Sequence, residues 1–251
     1  MNATLSGALL GLAAFGMFGA VDMSIKVLGA GYSPFQINFF VSLMTCPIAP
    51  AQAMADRTEQ SLRPHRPGLM ALRCTGVLIN AVLGTYAFSV LPLAQCDAIF
   101  FTMPLFSAVL AVPILGERID PLRGIAVLAG LAGVIVALDP REGSLQWGHL
   151  AALGAAMVGA ANYLIIRITG GVERAVVLQI YPLLLQLIVA AAGLPPVYVP
   201  MPLADLGLTA VTGLAGFPGY LLIIAAYLSH PRSNTARSSG PRSSARWCLT
   251  R

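Results

Sequence analysis

The sequence predicts an all-α polytopic membrane protein made of inverted five-helix repeats, with five helices in the first and about three in the second. Three observations carry this. Of 251 residues, 57% are apolar and only 10% charged, too little charge to coat a soluble globule of this size. The apolar residues arrive in blocks of about 20 or more, enough at roughly 1.5 Å rise per residue to cross the hydrocarbon of a bilayer. Similar short stretches also recur far apart in the chain. The spans leave too little polypeptide for a folded extramembrane domain, which excludes a water-soluble enzyme, a secreted disulfide scaffold and a DNA-binding domain.

The elements follow in order. Residues 5–27 form the first span. It lacks a basic n-region and carries Asp22 and Lys26, so it reads as a retained helix and not as a signal peptide. The second follows Ser33-Pro34, over residues 35–54, and ends in a charged loop, 56–66. The third covers 68–91. Pro92 to Cys96 reads as a tight turn, with Asp97 placed to cap a fourth helix over 98–115. The fifth covers 122–138, the sixth 148–168, the seventh 176–192 and the eighth 206–228. Small-residue pairs such as Ala126/Gly130, Ala129/Gly133 and Ala155/Gly159 permit close helix contact.

The net charge of +5 is not a nucleic-acid signature. Residues 1–231 hold ten Lys/Arg and ten Asp/Glu, and the excess comes from Arg232, Arg237, Arg242, Arg246 and Arg251. Basic loops stay cytoplasmic. With the N-terminus inside, the inner loops hold Arg57, Arg63, Arg66, Arg73 at the entrance of the third helix, Arg118, Arg123, Arg167 and Arg174; the outer side holds only Lys26 and Arg141. The N-terminus is therefore expected in the cytoplasm. Cys46, Cys74, Cys96 and Cys248 have no CxxC spacing and no His cluster, so no metal and no cofactor is expected.

Met17-Phe18-Gly19-Ala20-Val21-Asp22 aligns with Met157-Val158-Gly159-Ala160-Ala161-Asn162, and Ala87-Phe88 with Ala226-Tyr227. A five-helix unit repeated once fits both offsets, and because five is odd the second copy enters the membrane from the opposite side. The stretch from Ala87-Phe88-Ser89-Val90-Leu91-Pro92-Leu93-Ala94 through Pro104-Leu105-Phe106 to Gly116-Glu117-Arg118-Ile119, with the Gly/Ala-rich fifth helix, resembles the first repeat of the drug/metabolite transporter superfamily, EamA type. The similarity runs from residue 4 to about 228. It implies ten helices in two inverted repeats, cytoplasmic termini and movement of small metabolites or drugs across the bacterial inner membrane. On that pattern residues 4–138 are the first repeat, 148–228 an incomplete second repeat, and 229–251 an Arg/Ser-rich disordered cytoplasmic tail. Helices nine and ten are expected to be missing, as a reading-frame shift in a GC-rich gene would leave them.

Polar side chains inside spans are costly unless they serve one another or a cavity. The candidate solute-binding residues are Asp22 and Lys26 in the first span, Asn80 and Tyr86 in the third, Asn162 and Tyr163 in the sixth, and Gln179 and Tyr181 in the seventh, with Gln186 nearby. Asp22 and Lys26, four apart on one helix face, can instead neutralise each other. Where the resemblance would put an Arg a few residues after Gln36 and Asn38, this sequence has none, which leaves no residue of that span to supply a fixed anion-binding charge. Pro104 and Pro182 are candidate hinges, with Pro113 and Pro218 also inside spans. Glu117 suits loop bracing, and His149 needs no catalytic role. No HExxH, diphosphate motif, paired intramembrane aspartates or P-loop occurs, so the expected function is a carrier of small solutes, not an enzyme. The alternative is a non-transporting fragment, or a subunit that needs a partner.

Overall fold

A computed structural model describes residues 3–48, 62–116, 124–125, 129–133, 146–169 and 172–229. The fold is helical throughout these residues: α1 (Ala3–Leu28), α2 (Pro34–Thr45), α3 (Pro67–Val90), α4 (Leu93–Phe100), α5 (Met103–Leu115), α6 (Trp147–Thr169), α7 (Val177–Gly193) and α8 (Leu203–Ser229), with a 3₁₀ turn at Pro195–Val197. Most of the expected fifth span, the end of the second, Glu117, Arg118 and residues 230–251 lie outside the described residues; the parts of the fifth span that are described are helical.

Local chemistry sets the helix ends. Ser33 caps α2, its Oγ accepting from the Gln36 N–H at 3.2 Å, and Pro34 fills the first position, where no N–H is needed. Gly116 ends α5 in the left-handed region at φ 67°, where its N–H reaches Val112 O at 3.0 Å and a Cβ would be strained. Asp97 does not cap a helix. α4 already begins at Leu93 with Pro92 as its N-cap, one turn ahead of the expected start; the proline that stops α3 also presets the backbone that opens α4. The fourth span is then two pieces, α4 and α5, interrupted at Phe101-Thr102 just before Pro104.

The helices have the dimensions and surfaces of membrane spans. α3, the α4–α5 pair and α6 are each long and apolar enough to cross a bilayer. Large apolar side chains such as Leu12, Ile125 and Ile188 are about two-thirds exposed, a surface suited to lipid.

Packing is selective. α1 lies most extensively along α8, and α3 along α6; α2 packs on α7, α8 on α2, and α7 on α3. Each of these contacts joins a helix from the first half of the chain to one from the second. The pattern is also symmetric: first-with-third-helix pairs occur in both directions, and the two second helices meet each other. Glycines let backbones close in. A Cβ on Gly159 of α6 would come within 2.8 Å of Met103, and one on Gly213 of α8 within 2.7 Å of Thr45 Oγ1. Two apolar clusters cap the bundle, one around Ala87, Phe88, Leu91 and Cys96, the other around Met70, Cys74, Ile166 and Leu178.

Candidate functional site

A cavity of about 260 Å³ lies between α1, α2, α3, α7 and α8, where the two halves of the chain meet. Its walls are mostly apolar, with Phe18, Phe217 and Tyr220 contributing aromatic surface. Its polar groups are Ser42 and Thr45 from α2, Arg73 from α3, Gln179 and Gln186 from α7, and Thr212 and the Tyr220 hydroxyl from α8.

Arg73 is the residue that sequence reasoning placed wrongly. Counted as a basic residue at a cytoplasmic helix entrance, it is only 1% exposed, because α3 starts at Pro67 and carries Arg73 almost two turns into the bundle. Its Nε donates to Leu178 O at 2.9 Å, Nη1 approaches Asn162 O at 3.5 Å, and the guanidinium lies 5.8 Å from the Tyr220 ring centroid. The acceptor has a specific origin. Leu178 is four residues before Pro182, which sits inside α7, and a proline has no N–H with which to occupy the carbonyl one turn back. Pro182 therefore leaves Leu178 O open, and Arg73 takes it.

Two polar atoms at this cavity, Ser42 Oγ and Gln179 Oε1, are buried with no hydrogen-bond partner among the described residues. The Gln179 amide orientation is fixed because Nε2 donates to Phe217 O at 3.2 Å; only the nitrogen end can donate to a carbonyl. Gln186 is held differently. Its Nε2 donates to Asn38 Oδ1 at 2.9 Å, and Asn38 Nδ2 donates to Thr85 Oγ1 at 3.1 Å, a buried chain joining α7, α2 and α3.

Of the residues singled out in the sequence, Gln179, Gln186 and Pro182 line the cavity, and the others do not. Asn80 donates to Ala155 O at 2.7 Å, an interhelical bond between α3 and α6. Asn162 is buried against Gly76 of the same helix pair, and its Oδ1 has no partner. Tyr163 stacks on Tyr220 at 6.4 Å, just behind the wall. Tyr86 is 37% exposed on the outside of the bundle, and the Tyr181 hydroxyl reaches Leu62 O at 3.3 Å. The Asp22–Lys26 ion pair does not form. Lys26 Nζ instead donates to Leu91 O at 2.6 Å, capping the end of α3, while Asp22 faces the charge of Asp97 across the junction with α4. Pro104 opens α5 and is exposed.

Polar ties join the two halves at each end of the cavity. At one end the buried Gln36 amide clamps Val199, donating to its carbonyl at 2.5 Å and accepting from its N–H at 2.9 Å, and Tyr32 donates to Asp205 at 2.6 Å. That hydrogen bond, then loss of hydration and the carboxylate charge, raises the Tyr32 phenol above its ordinary 10.0, so the phenol keeps its proton for the tie at neutral pH and gives it up as pH rises beyond that value. At the other end the buried Glu173 carboxylate accepts from the Arg66 N–H at 2.9 Å and meets His65 Nδ1 at 3.4 Å.

Several known proteins are similar to this chain in sequence or in fold. The S-adenosylmethionine uptake transporter of Rickettsia bellii is 27% identical over 147 residues, covering 57% of this chain and 50% of its own. The riboflavin transporter of Rhizobium johnstonii is 28% identical over 125 residues, 50% of this chain and 41% of its own. The chain thus spans about half the length of the curated relatives it matches. One crystal structure superposes over 88% of this chain and 79% of its own, with a TM-score of 0.64 and 21% identity, which shows the fold alone. Residues 5–138, more than half of the sequence, match the EamA-like transporter family; with its apolar helical bundle, the chain belongs to that family and is a multi-pass membrane protein.

Proposed function

We propose that this chain carries a small solute across the bacterial inner membrane by alternating access between two inverted repeats, residues 4–138 and 148–228, with the N-terminus in the cytoplasm. One observation carries the reading: a buried cation and two unpartnered polar atoms face a cavity built from helices of both halves. Buried polar groups in a membrane bundle are costly, and a solute that completes their bonds accounts for them. The helix pairing supports the repeat, since inverted copies related by a two-fold axis in the membrane plane would pair first helix with third in both directions. The polar ties at the two ends of the cavity suit gates that open in turn, because each is a handful of hydrogen bonds and not a continuous apolar seam.

The relatives named for S-adenosylmethionine and riboflavin transport favour a polar metabolite as cargo. The drive is a solute or ion gradient, and Asp22 is the proton-sensitive group: it sits inside α1 with no hydrogen-bond partner among the described residues and with Asp97 as its acidic neighbour. The test is uptake and counterflow in vesicles holding the purified chain, at several pH values. Uptake that follows a pH gradient and loses that dependence in Asp22→Asn is the expected result. Unchanged pH dependence removes Asp22 from coupling, and no flux of any metabolite by the folded chain overturns transport by this chain alone.

A further inference from the structure

The cavity lining is electrically one-sided. Among the described residues Arg73 is the one charged residue in it, and none of their carboxylates lies within salt-bridge range of its guanidinium. A cation taken out of water without a counter-ion is unfavourable, and a bound anion supplies one. Of its five N–H groups, Nε is satisfied by Leu178 O, and the Nη1 contact to Asn162 O is long at 3.5 Å. The Nη1/Nη2 edge is left, and that is the fork to which a carboxylate binds through two parallel hydrogen bonds.

The second demand comes from Gln179. Its Oε1 is buried, unpartnered and fixed as an acceptor by the Nε2 bond to Phe217 O, so it asks for a donor on the ligand. Ser42 Oγ, on a side chain 1% exposed and also unpartnered, can give or accept a further bond. Between these points the walls are aromatic, from Phe18, Phe217 and Tyr220.

Resting on the reading of this cavity as a carrier's solute site, we infer that it takes small aromatic or apolar monocarboxylates bearing a neutral hydrogen-bond donor: the carboxylate on Arg73, the donor on Gln179 Oε1, the body against the aromatic wall. Charge arithmetic selects this class. A monoanion neutralises Arg73, whereas a phosphate monoester, at about −1.5 to −2, leaves buried negative charge. A zwitterion or a neutral solute leaves the guanidinium uncompensated, and a cation adds to it.

A matched set sharing one ring separates these cases: 4-hydroxyphenylacetate (carboxylate and neutral donor), phenylacetate (carboxylate only), tyrosine (zwitterion), tyramine (cation) and tyrosol (neutral). Binding to the full purified chain is measured by titration calorimetry. The expected order has 4-hydroxyphenylacetate tighter than tyrosine, tyramine and tyrosol by about tenfold or more. Arg73→Gln abolishes that preference and Arg73→Lys restores part of it. Because replacing a buried arginine can harm folding, Gln179→Leu serves as the second variant: it removes the advantage of 4-hydroxyphenylacetate over phenylacetate, read as the ratio of the two affinities in the same protein. Equal or tighter binding of the zwitterion, cation or neutral member, a preference that survives in folded Arg73→Gln, or no binding by the set at all overturns the assignment. Uptake of labelled 4-hydroxyphenylacetate is read separately. Selective binding without flux overturns the carrier reading and leaves the ligand class standing; flux of another metabolite with no binding of this set does the reverse.

Discussion

At the scale of single residues, space and hydrogen-bond accounting decide what each side chain can do. Gly29 follows α1, and a Cβ there would sit 2.7 Å from Ser89 Cβ and 2.8 Å from Ser89 Cα, whereas Gly31 has nothing within 4 Å. Backbone cannot step aside as a side-chain tip can. Gly29→Ala is therefore expected to lower stability by about 1–3 kcal/mol, while Gly31→Ala is neutral or stabilising by about 0.4–1 kcal/mol through the unfolded chain. Melting temperatures of the two variants in one detergent check this, and equal values refute it. The same accounting explains which site residues could be read from the sequence. Gln179, Gln186 and Pro182 stood out as polar or helix-breaking groups in mid-span, and all three line the cavity. Asn80 had the same signature but is satisfied by Ala155 O across a helix crossing, a fact that spacing cannot reveal. Arg73 was read as interfacial because basic residues near helix ends usually are. The signal that could have found it is its distance, six residues, past Pro67, in a segment with no acidic partner. Ser42 gave no signal at all, since a lone serine in a span usually bonds its own helix.

At the scale of elements, the membrane spans were legible because lipid enforces long apolar runs with every backbone bond satisfied internally. The expected 68–91 and 148–168 compare with Pro67–Val90 and Trp147–Thr169. The fourth span shows where that reading fails: Asp97 looked like a cap, but Pro92 outweighs it, and a mid-span break at Phe101-Thr102 leaves no mark on hydropathy. α7 offers the sharpest test at this scale. Pro182→Ala would return an N–H to the helix, and that N–H would compete with Arg73 for Leu178 O. The expected result is no loss of thermal stability, together with carboxylate binding weakened by roughly 2- to 10-fold. Full affinity in a folded Pro182→Ala protein would show that the open carbonyl does not anchor the guanidinium.

At the scale of the whole molecule, the all-helical membrane architecture followed from composition and block length alone, and family membership from the stretch around Ala87 to Leu138. A solute site between the two repeats was expected, but which side chains would line it was not visible, because that depends on contacts between helices far apart in the chain. Threading is open to direct mapping. In a background without native cysteines, Ser33→Cys is expected to react with an impermeant maleimide in intact cells, and Arg63→Cys only after the inner membrane is permeabilised. The reverse pattern inverts the orientation, and labelling of both from outside removes the proposed crossing by α2. One feature reaches across all three scales. The missing amide hydrogen of Pro182 both takes a backbone bond out of α7 and leaves Leu178 O to tether Arg73, so the backbone of the helix and the seat of the guanidinium share a single imino acid. Drift at that codon would change the backbone of α7 and the position of the Arg73 guanidinium in the same step, and neither trait is free to evolve alone.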